Sequence, residues 1–222
     1  MNHPAMPLQS LTDKLIARKN GAVGWLIFNN PERHNATSYE MWQSLPVVLD
    51  AYARDPEVHV IVFRGAGEKA FSAGADISQF KERRSGAEAV SEYNAAARLG
   101  LGYRFEGIKR LASIVGPAYT AEIFFTARQF TAQEALQMRL VNRVVPGAEL
   151  ESFIEDYART IARNAPLTIA AVKRSLVELQ KDPAERDLVL CQCMVDACFA
   201  SEDYREGQAA FMEKRKPQFK GR

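Results

Sequence analysis

Arg64-Gly65-Ala66-Gly67-Glu68-Lys69-Ala70-Phe71-Ser72-Ala73-Gly74-Ala75-Asp76-Ile77 is the stretch from which the rest of this chain is read. The apolar run Val58 to Phe63 stops at Gly65 and Gly67, and the Ser-Ala-Gly-Ala-Asp that follows has residues too small to keep a ligand from the backbone. A strand therefore feeds an exposed loop of free N–H groups. Such groups hold an anion or a developing oxyanion without a charged side chain, which suits acyl or enolate chemistry. A tight surface turn has the same composition, because Gly and Ala clusters commonly serve turns.

Upstream, Leu15 to Arg18 and Ala22 to Phe28 read as two strands joined around Asn20-Gly21, a hairpin signal. After the loop of Pro31, Asn35 and Ala36, Thr37 and Glu40 have capping-box spacing, and a helix is predicted from Ser38. Met41, Leu45, Val48, Leu49 and Tyr52 recur at helical spacing as its buried face, while Pro46 predicts a kink or break. Asp55-Pro56 ends this helix and His59 falls on the next strand, packed or at an edge.

Downstream, Ser78 to Ala97 is a polar Glu/Lys/Arg/Ala segment that reads as a solvated helix, with a lid as the functional alternative. At Ala95 to Gly102 the character changes into a glycine-punctuated loop, and Glu106 is placed in the loop after this junction. Gly116-Pro117 opens a helix through Phe125; Thr131 and Glu134 make a second capping-box spacing; Val141 to Val145 reads as a short strand. Helices are predicted over Leu150 to Ala165, Leu167 to Gln180 and Ala184 to Ala200, with a last one from Ser201. Mixed strands and helices followed by helices alone give an α/β core with a helical C-terminal part.

The 222 residues, 47% hydrophobic, suffice for one substantial core. A net charge of +2, with basic residues scattered except at Lys214-Arg215-Lys216, points away from a nucleic-acid surface but leaves room for a small anionic ligand. Cys191, Cys193 and Cys198 are an odd number in a helical pattern, which fits reduced core residues better than a disulfide framework. No metal site is predicted, because His3, His34 and His59 lie far from the cysteines. With no apolar stretch of membrane length and no signal-like start, the expectation is a cytoplasmic protein. Gly65-Ala66-Gly67-Glu68-Lys69 matches neither the dinucleotide nor the phosphate-loop pattern, and Ser72 has no nearby His to activate it.

Asn30-Pro31-Glu32-Arg33-His34-Asn35-Ala36 together with Lys69 to Ile77 resembles the enoyl-CoA hydratase/isomerase (crotonase) family. The resemblance continues through Phe125 to Ala135, Leu140 to Pro146, Phe199 to Asp203, Glu206-Gly207 and Phe211 to Pro217, and so covers nearly the whole chain. It implies an α/β crotonase-like spiral of strand-strand-helix turns over residues 1–146 and a helical oligomerisation region over 147–222, assembled as a homotrimer or a dimer of trimers. The implied substrate is an acyl-CoA thioester, with coenzyme A part of the substrate and no separate cofactor. The Ala73 N–H would be an oxyanion donor, with Ala75, Asp76 and Ile77 bordering the adenine and Gly74 also among the substrate-binding residues. Arg33, His34 and Ala36 would line the pantetheine and phosphate side, and Lys214 and Lys216 would approach a CoA phosphate, including from a neighbouring subunit.

The chain also departs from its relatives. Between the charged helix and the Leu-Gly loop, family members carry a strand, a Gly-Gly-Gly turn and a buried helix, and these have no counterpart around Ala95 to Arg98. The second oxyanion donor and the first hydratase glutamate belong to that segment, and the second glutamate falls at Ala96. Loss of one donor costs roughly 3–4 kcal/mol of transition-state stabilisation. Glu106 is the substitute acid or base suggested by position alone, against a solvated carboxylate. The functional expectation is therefore a hydratase/isomerase-like protein working through a thioester enolate, or a catalytically impaired member that binds acyl-CoA or serves as an oligomerisation partner. Hydration, isomerisation and decarboxylation are not separated by the sequence.

Overall fold

A computed structural model describes residues 12–74, 76 and 102–222. The predicted charged helix 78–97, the junction at Ala95 to Arg98, and Ala75 and Ile77 lie outside the described residues.

The hairpin is formed by β1 (Leu15–Asn20) and β2 (Val23–Phe28), antiparallel with Leu15 opposite Phe28 and Asn20 opposite Val23. Helix α1 (Tyr39–Arg54) then carries the chain to β3 (Val60–Gly65), which runs parallel to β2 with Val23 opposite Val60 and Phe28 opposite Gly65. The sheet order is β1-β2-β3, so β2 is central and every one of its residues is buried. Its alternation sorts the core into two layers. Leu26 and Phe28 join Leu15 and Ala17 against Met41, Leu45, Val48 and Tyr52 of α1. Val23 and Trp25 face the other way, toward Ile154 and Ala158 of a later helix. A strand covered on both faces reads as a continuous apolar run, as VGWLIF does.

The apolar spacing of α1 is the face it buries, with Leu49 partly covered. Ser38, not Thr37, caps it, accepting from the Met41 N–H at 3.4 Å, because the Thr37 backbone is engaged elsewhere. The helix runs unbroken through Pro46. Pro46 is exposed, so the carbonyl it leaves without an N–H partner, that of Trp42, is on the water side. Tyr52 crosses the core and sets its hydroxyl 2.9 Å from the carbonyls of both Arg18 and Trp25. Gly24 makes room for that ring, since a Cβ there would lie 3.0 Å from it. His59 precedes β3, exposed, with Nδ1 3.0 Å from the Ala162 carbonyl.

Beyond the undescribed segment come α2 (Phe105–Thr126), α3 (Ala132–Gln137), α4 (Gly147–Ala162), α5 (Pro166–Leu179), α6 (Leu188–Ala200) and α7 (Glu202–Met212). Helix α2 is kinked at Gly116, whose φ of 79° breaks the helix where Gly116-Pro117 predicts a start. The Thr131–Glu134 capping box forms as expected. Four expectations are corrected. Glu106 lies in the first turn of α2, not in a loop, and its carboxylate suits that positive helix end. Val141 to Val145 is not a strand: the N–H groups of Leu140 and Val141 turn back onto the Ala135 carbonyl, at 2.9 and 3.3 Å. Helix α6 starts at Leu188, not Ala184, because Asp187 caps it on the Leu190 N–H at 2.8 Å, after a separate 3-10 turn at Pro183–Glu185. The cysteines are not core residues: Cys193 is exposed and the other two are half-buried, because α6 buries none of its residues within this chain.

Candidate active site

The loop after β3 is held from below by one side chain. Asn35, 1% exposed, donates from Nδ2 to the carbonyls of Ala66 at 2.9 Å and Ala70 at 2.7 Å, and accepts the Asn30 N–H at 3.0 Å. This uses both amide protons and ties the loop of residues 30–36 to that of 66–70. Gly65 is required at the crossing, because a Cβ there would lie 2.5 Å from Asn35 Nδ2 and from the Phe71 carbonyl. Asn35 and His34 both have left-handed backbones, φ 57° and 51°, a conformation that asparagine tolerates well.

The next part of the loop is held by Thr37. Its N–H donates to the Gly74 carbonyl at 2.7 Å, and its own carbonyl accepts the Asp76 N–H at 3.0 Å. The Ser72 hydroxyl accepts the Gly74 N–H at 3.1 Å and lies 3.3 Å from Thr37 Oγ1. Arg33 reaches across with one guanidinium nitrogen 3.1 Å from both carboxylate oxygens of Asp76, which is buried while Arg33 stays half exposed. Between these fastenings Ala73 is exposed, and no acceptor among the described residues takes its N–H.

The predicted site residues thus fall into groups. Arg33, Ala36, Ala73, Gly74 and Asp76 come together around Thr37; Ala36 is buried, its carbonyl accepting from Asn30 Nδ2 at 3.2 Å, and His34 is exposed beside them. Gly74 has φ 89°, which suits its lack of a side chain. Glu106 is exposed, and among the described residues no hydrogen bond or ion pair links it to this loop. Lys214 and Lys216 are exposed beyond α7, in a tail fixed by their neighbour. Arg215 forks onto both oxygens of Glu206 at 2.5 and 2.8 Å and, with the Gln218 N–H, holds that carboxyl down to about 2. Within the chain no described contact joins these lysines to Arg33.

Beside the first half of the loop lies a cavity of about 840 Å³, walled by Trp25, Phe63, Lys69 and Phe71 on one side and by Leu150 and Ile154 of α4 on the other. The Arg64–Glu151 ion pair, 2.9 Å, spans loop and helix at its edge. Phe71 stands edge-on to Phe28, centroids 5.4 Å apart, yet remains 57% exposed. Among the described residues β3 is paired on one edge only, and Phe63 is 41% exposed there. No group of three or more His, Cys, Asp or Glu side chains among them is arranged to hold a metal ion.

Sequence reasoning singles out Ala73, Gly74 and Asp76 but not their supports, Asn35, Thr37 and Ser72. The available signal is the pair Asn30 and Asn35 bracketing a Pro-containing turn; what Asn35 binds lies more than 30 residues away and leaves no local pattern.

The short-chain-enoyl-CoA hydratase of Clostridium acetobutylicum is 28% identical over 251 aligned positions, spanning 92% of this chain and 96% of the relative. Since 92% of 222 residues is about 204, about 47 of those positions have no residue of this chain opposite them. The carnitinyl-CoA dehydratase of Escherichia coli O157:H7 is 29% identical over 265 positions, spanning 96% of this chain and all of the relative. A solved enoyl-CoA hydratase/carnithine racemase from Magnetospirillum magneticum superposes with a TM-score of 0.83 at 27% identity, over 95% of this chain and 97% of that one. The fold is thus the crotonase fold, α/β with a helical C-terminal region. Profiles described as enoyl-CoA hydratase/isomerase match residues 87–222 and 23–102, and the chain belongs to the enoyl-CoA hydratase/isomerase (crotonase) family.

Proposed function

We propose that this chain binds an acyl-CoA thioester with the thioester carbonyl directed at the Ala73 N–H, and that it uses this donor to stabilise a thioester enolate. The observation that carries the reading is the exposed Ala73 N–H, which has no acceptor among the described residues, on a loop pinned by Asn35 and Thr37, in a chain of this family. A fixed donor needs no reorganisation as charge develops on the oxygen, which is what makes it effective. Arg33, His34 and Ala36, with Gly74, Ala75, Asp76 and Ile77, border the coenzyme in this reading, and Lys214 and Lys216 meet its phosphates. Hydratase/isomerase chemistry is the favoured reaction, with Glu106 as the acid or base.

A second reading has a specific observation behind it. About 47 aligned positions of the Clostridium relative are unmatched, and Glu106 is solvated and unlinked to the loop. On that basis the chain binds acyl-CoA without turning it over. Both readings include assembly through residues 147–222, against a core of 1–146, as a trimer or dimer of trimers. In support, α6 buries no residue, Val189 and Phe211 are 75% and 83% exposed, and Leu167, Leu176, Val195 and Phe199 line a 740 Å³ apolar cavity among the C-terminal helices.

Incubation with crotonyl-CoA separates the two. Loss of enoyl absorbance supports hydration; calorimetric binding without turnover supports the second reading. Absence of both overturns the shared premise.

A further inference from the structure

We infer that Thr37 is the positioning residue for the Ala73 N–H, acting through the hydroxyl of Ser72; the inference rests on the reading of Ala73 as an oxyanion donor. The N–H of Ala73 belongs to the planar peptide unit between Ser72 and Ala73, so its direction is set by whatever fixes Ser72 and the chain just beyond. Both ends are fixed. On the far side, Gly74 is held through its carbonyl by the Thr37 N–H, 2.7 Å, and through its own N–H by Ser72 Oγ, 3.1 Å. On the near side, the Ser72 side chain is set between the Gly74 N–H and Thr37 Oγ1, the latter at 3.3 Å.

Ser72 Oγ accepts from Gly74 and still has its proton and a second lone pair, so either hydroxyl can donate to the other across the contact with Thr37 Oγ1. Thr37 is 5% exposed and Ser72 half-buried, and Ser72 is the one described partner of the Thr37 hydroxyl, so this contact is partly shielded from water, which strengthens a hydrogen bond against exchange with solvent. The backbone bonds of Thr37 survive any substitution that keeps an N–H, so the side-chain link to Ser72 is the part that residue choice controls. Valine keeps the shape of threonine and removes the hydroxyl; serine keeps the hydroxyl and removes the methyl. Only the former removes one of the two contacts that set the Ser72 rotamer and so loosens the Ser72–Ala73 peptide plane.

The test compares wild type, Thr37→Val and Thr37→Ser by two measurements. The first is the 15N order parameter of the Ala73 amide in the ligand-free protein. Wild type and Thr37→Ser should give about 0.85, as for rigid backbone, and Thr37→Val should fall toward 0.6 while the β2 amides stay unchanged. The second is the carbonyl stretch of 13C-labelled crotonyl-CoA. The downshift on binding should persist in Thr37→Ser and be at least halved in Thr37→Val, with the dissociation constant changed less than about threefold. An unchanged Ala73 order parameter in Thr37→Val, or a downshift as large as in wild type, overturns the inference. An order parameter that falls in Thr37→Val while wild type binds no thioester instead upholds the positioning role and defeats the functional reading. If Thr37→Val fails to fold, Ser72→Ala, which removes this link together with the acceptor of the Gly74 N–H, must lower the Ala73 order parameter; an unchanged value overturns the inference.

Discussion

Asn35 Nδ2 lies 2.7 Å from the Ala70 carbonyl oxygen, a side chain from the loop after β2 closing the loop after β3. Substitution of Asn35 by Ala strands the carbonyls of Ala66 and Ala70 and the N–H of Asn30, and puts a Cβ-bearing residue without asparagine's local hydrogen bonds at φ 57°. The expected loss is about 2–4 kcal/mol in urea unfolding. Asn35→Asp should be no milder, since it aims a carboxylate oxygen at two carbonyls.

Gly24→Ala tests the core layer between β2 and α1. The new methyl would press on Tyr52 at 3.0 Å and push its hydroxyl from the Arg18 and Trp25 carbonyls, for a loss of about 1–3 kcal/mol. Tyr52→Phe removes the hydroxyl alone and should cost about 1–2 kcal/mol. If the account is right, Gly24→Ala added to Tyr52→Phe costs less than the sum of the two, which a double-mutant cycle by denaturant unfolding measures.

The C-terminal tail should respond to acid. Arg215 and the Gln218 N–H lower the Glu206 carboxyl from 4.5 to about 2 in the folded chain. A depressed carboxylate contributes stability that is complete above its unfolded value and is lost as pH falls through the folded one. The difference in melting temperature between wild type and Glu206→Gln should therefore be constant above pH 5 and shrink as pH falls from about 4.5 toward 2. A difference that does not vary with pH in that window would contradict the assignment.

Lys214 and Lys216 stand outside any ion pair of the described residues and are proposed to meet the CoA phosphates. Lys214→Ala/Lys216→Ala should weaken acyl-CoA binding severalfold and reduce its salt dependence, while leaving binding of the matching N-acetylcysteamine thioester unchanged. Equal losses for both ligands would show that the lysines act on the fold and not on the phosphates.

Much of the N-terminal layer was legible because its signals are local. Asn20-Gly21 turns the hairpin, VGWLIF is apolar on both faces, and the spacing of Met41, Leu45, Val48 and Tyr52 is the face that packs. Pro46 misleads because the cost of a helical proline falls when the orphaned carbonyl faces water. Val141 to Val145 misleads because β-propensity has no effect without a neighbouring ladder; here Ala135 captures the N–H groups instead. The loop residues Ala73, Gly74 and Asp76 stand out by smallness and by family resemblance, but Thr37 and Asn35 act through contacts separated by some 35 residues, and no short-range pattern carries that information.

The central claim is that Ala73 donates to a thioester carbonyl, and the infrared carbonyl frequency of bound 13C-labelled crotonyl-CoA reports that bond directly. In wild type the band should move to lower frequency than in water, and in Ala73→Pro, which keeps a small residue but has no N–H, the shift should largely vanish while calorimetry still detects binding. A bound wild-type band at the aqueous frequency, or a downshift undiminished in Ala73→Pro, would contradict the account.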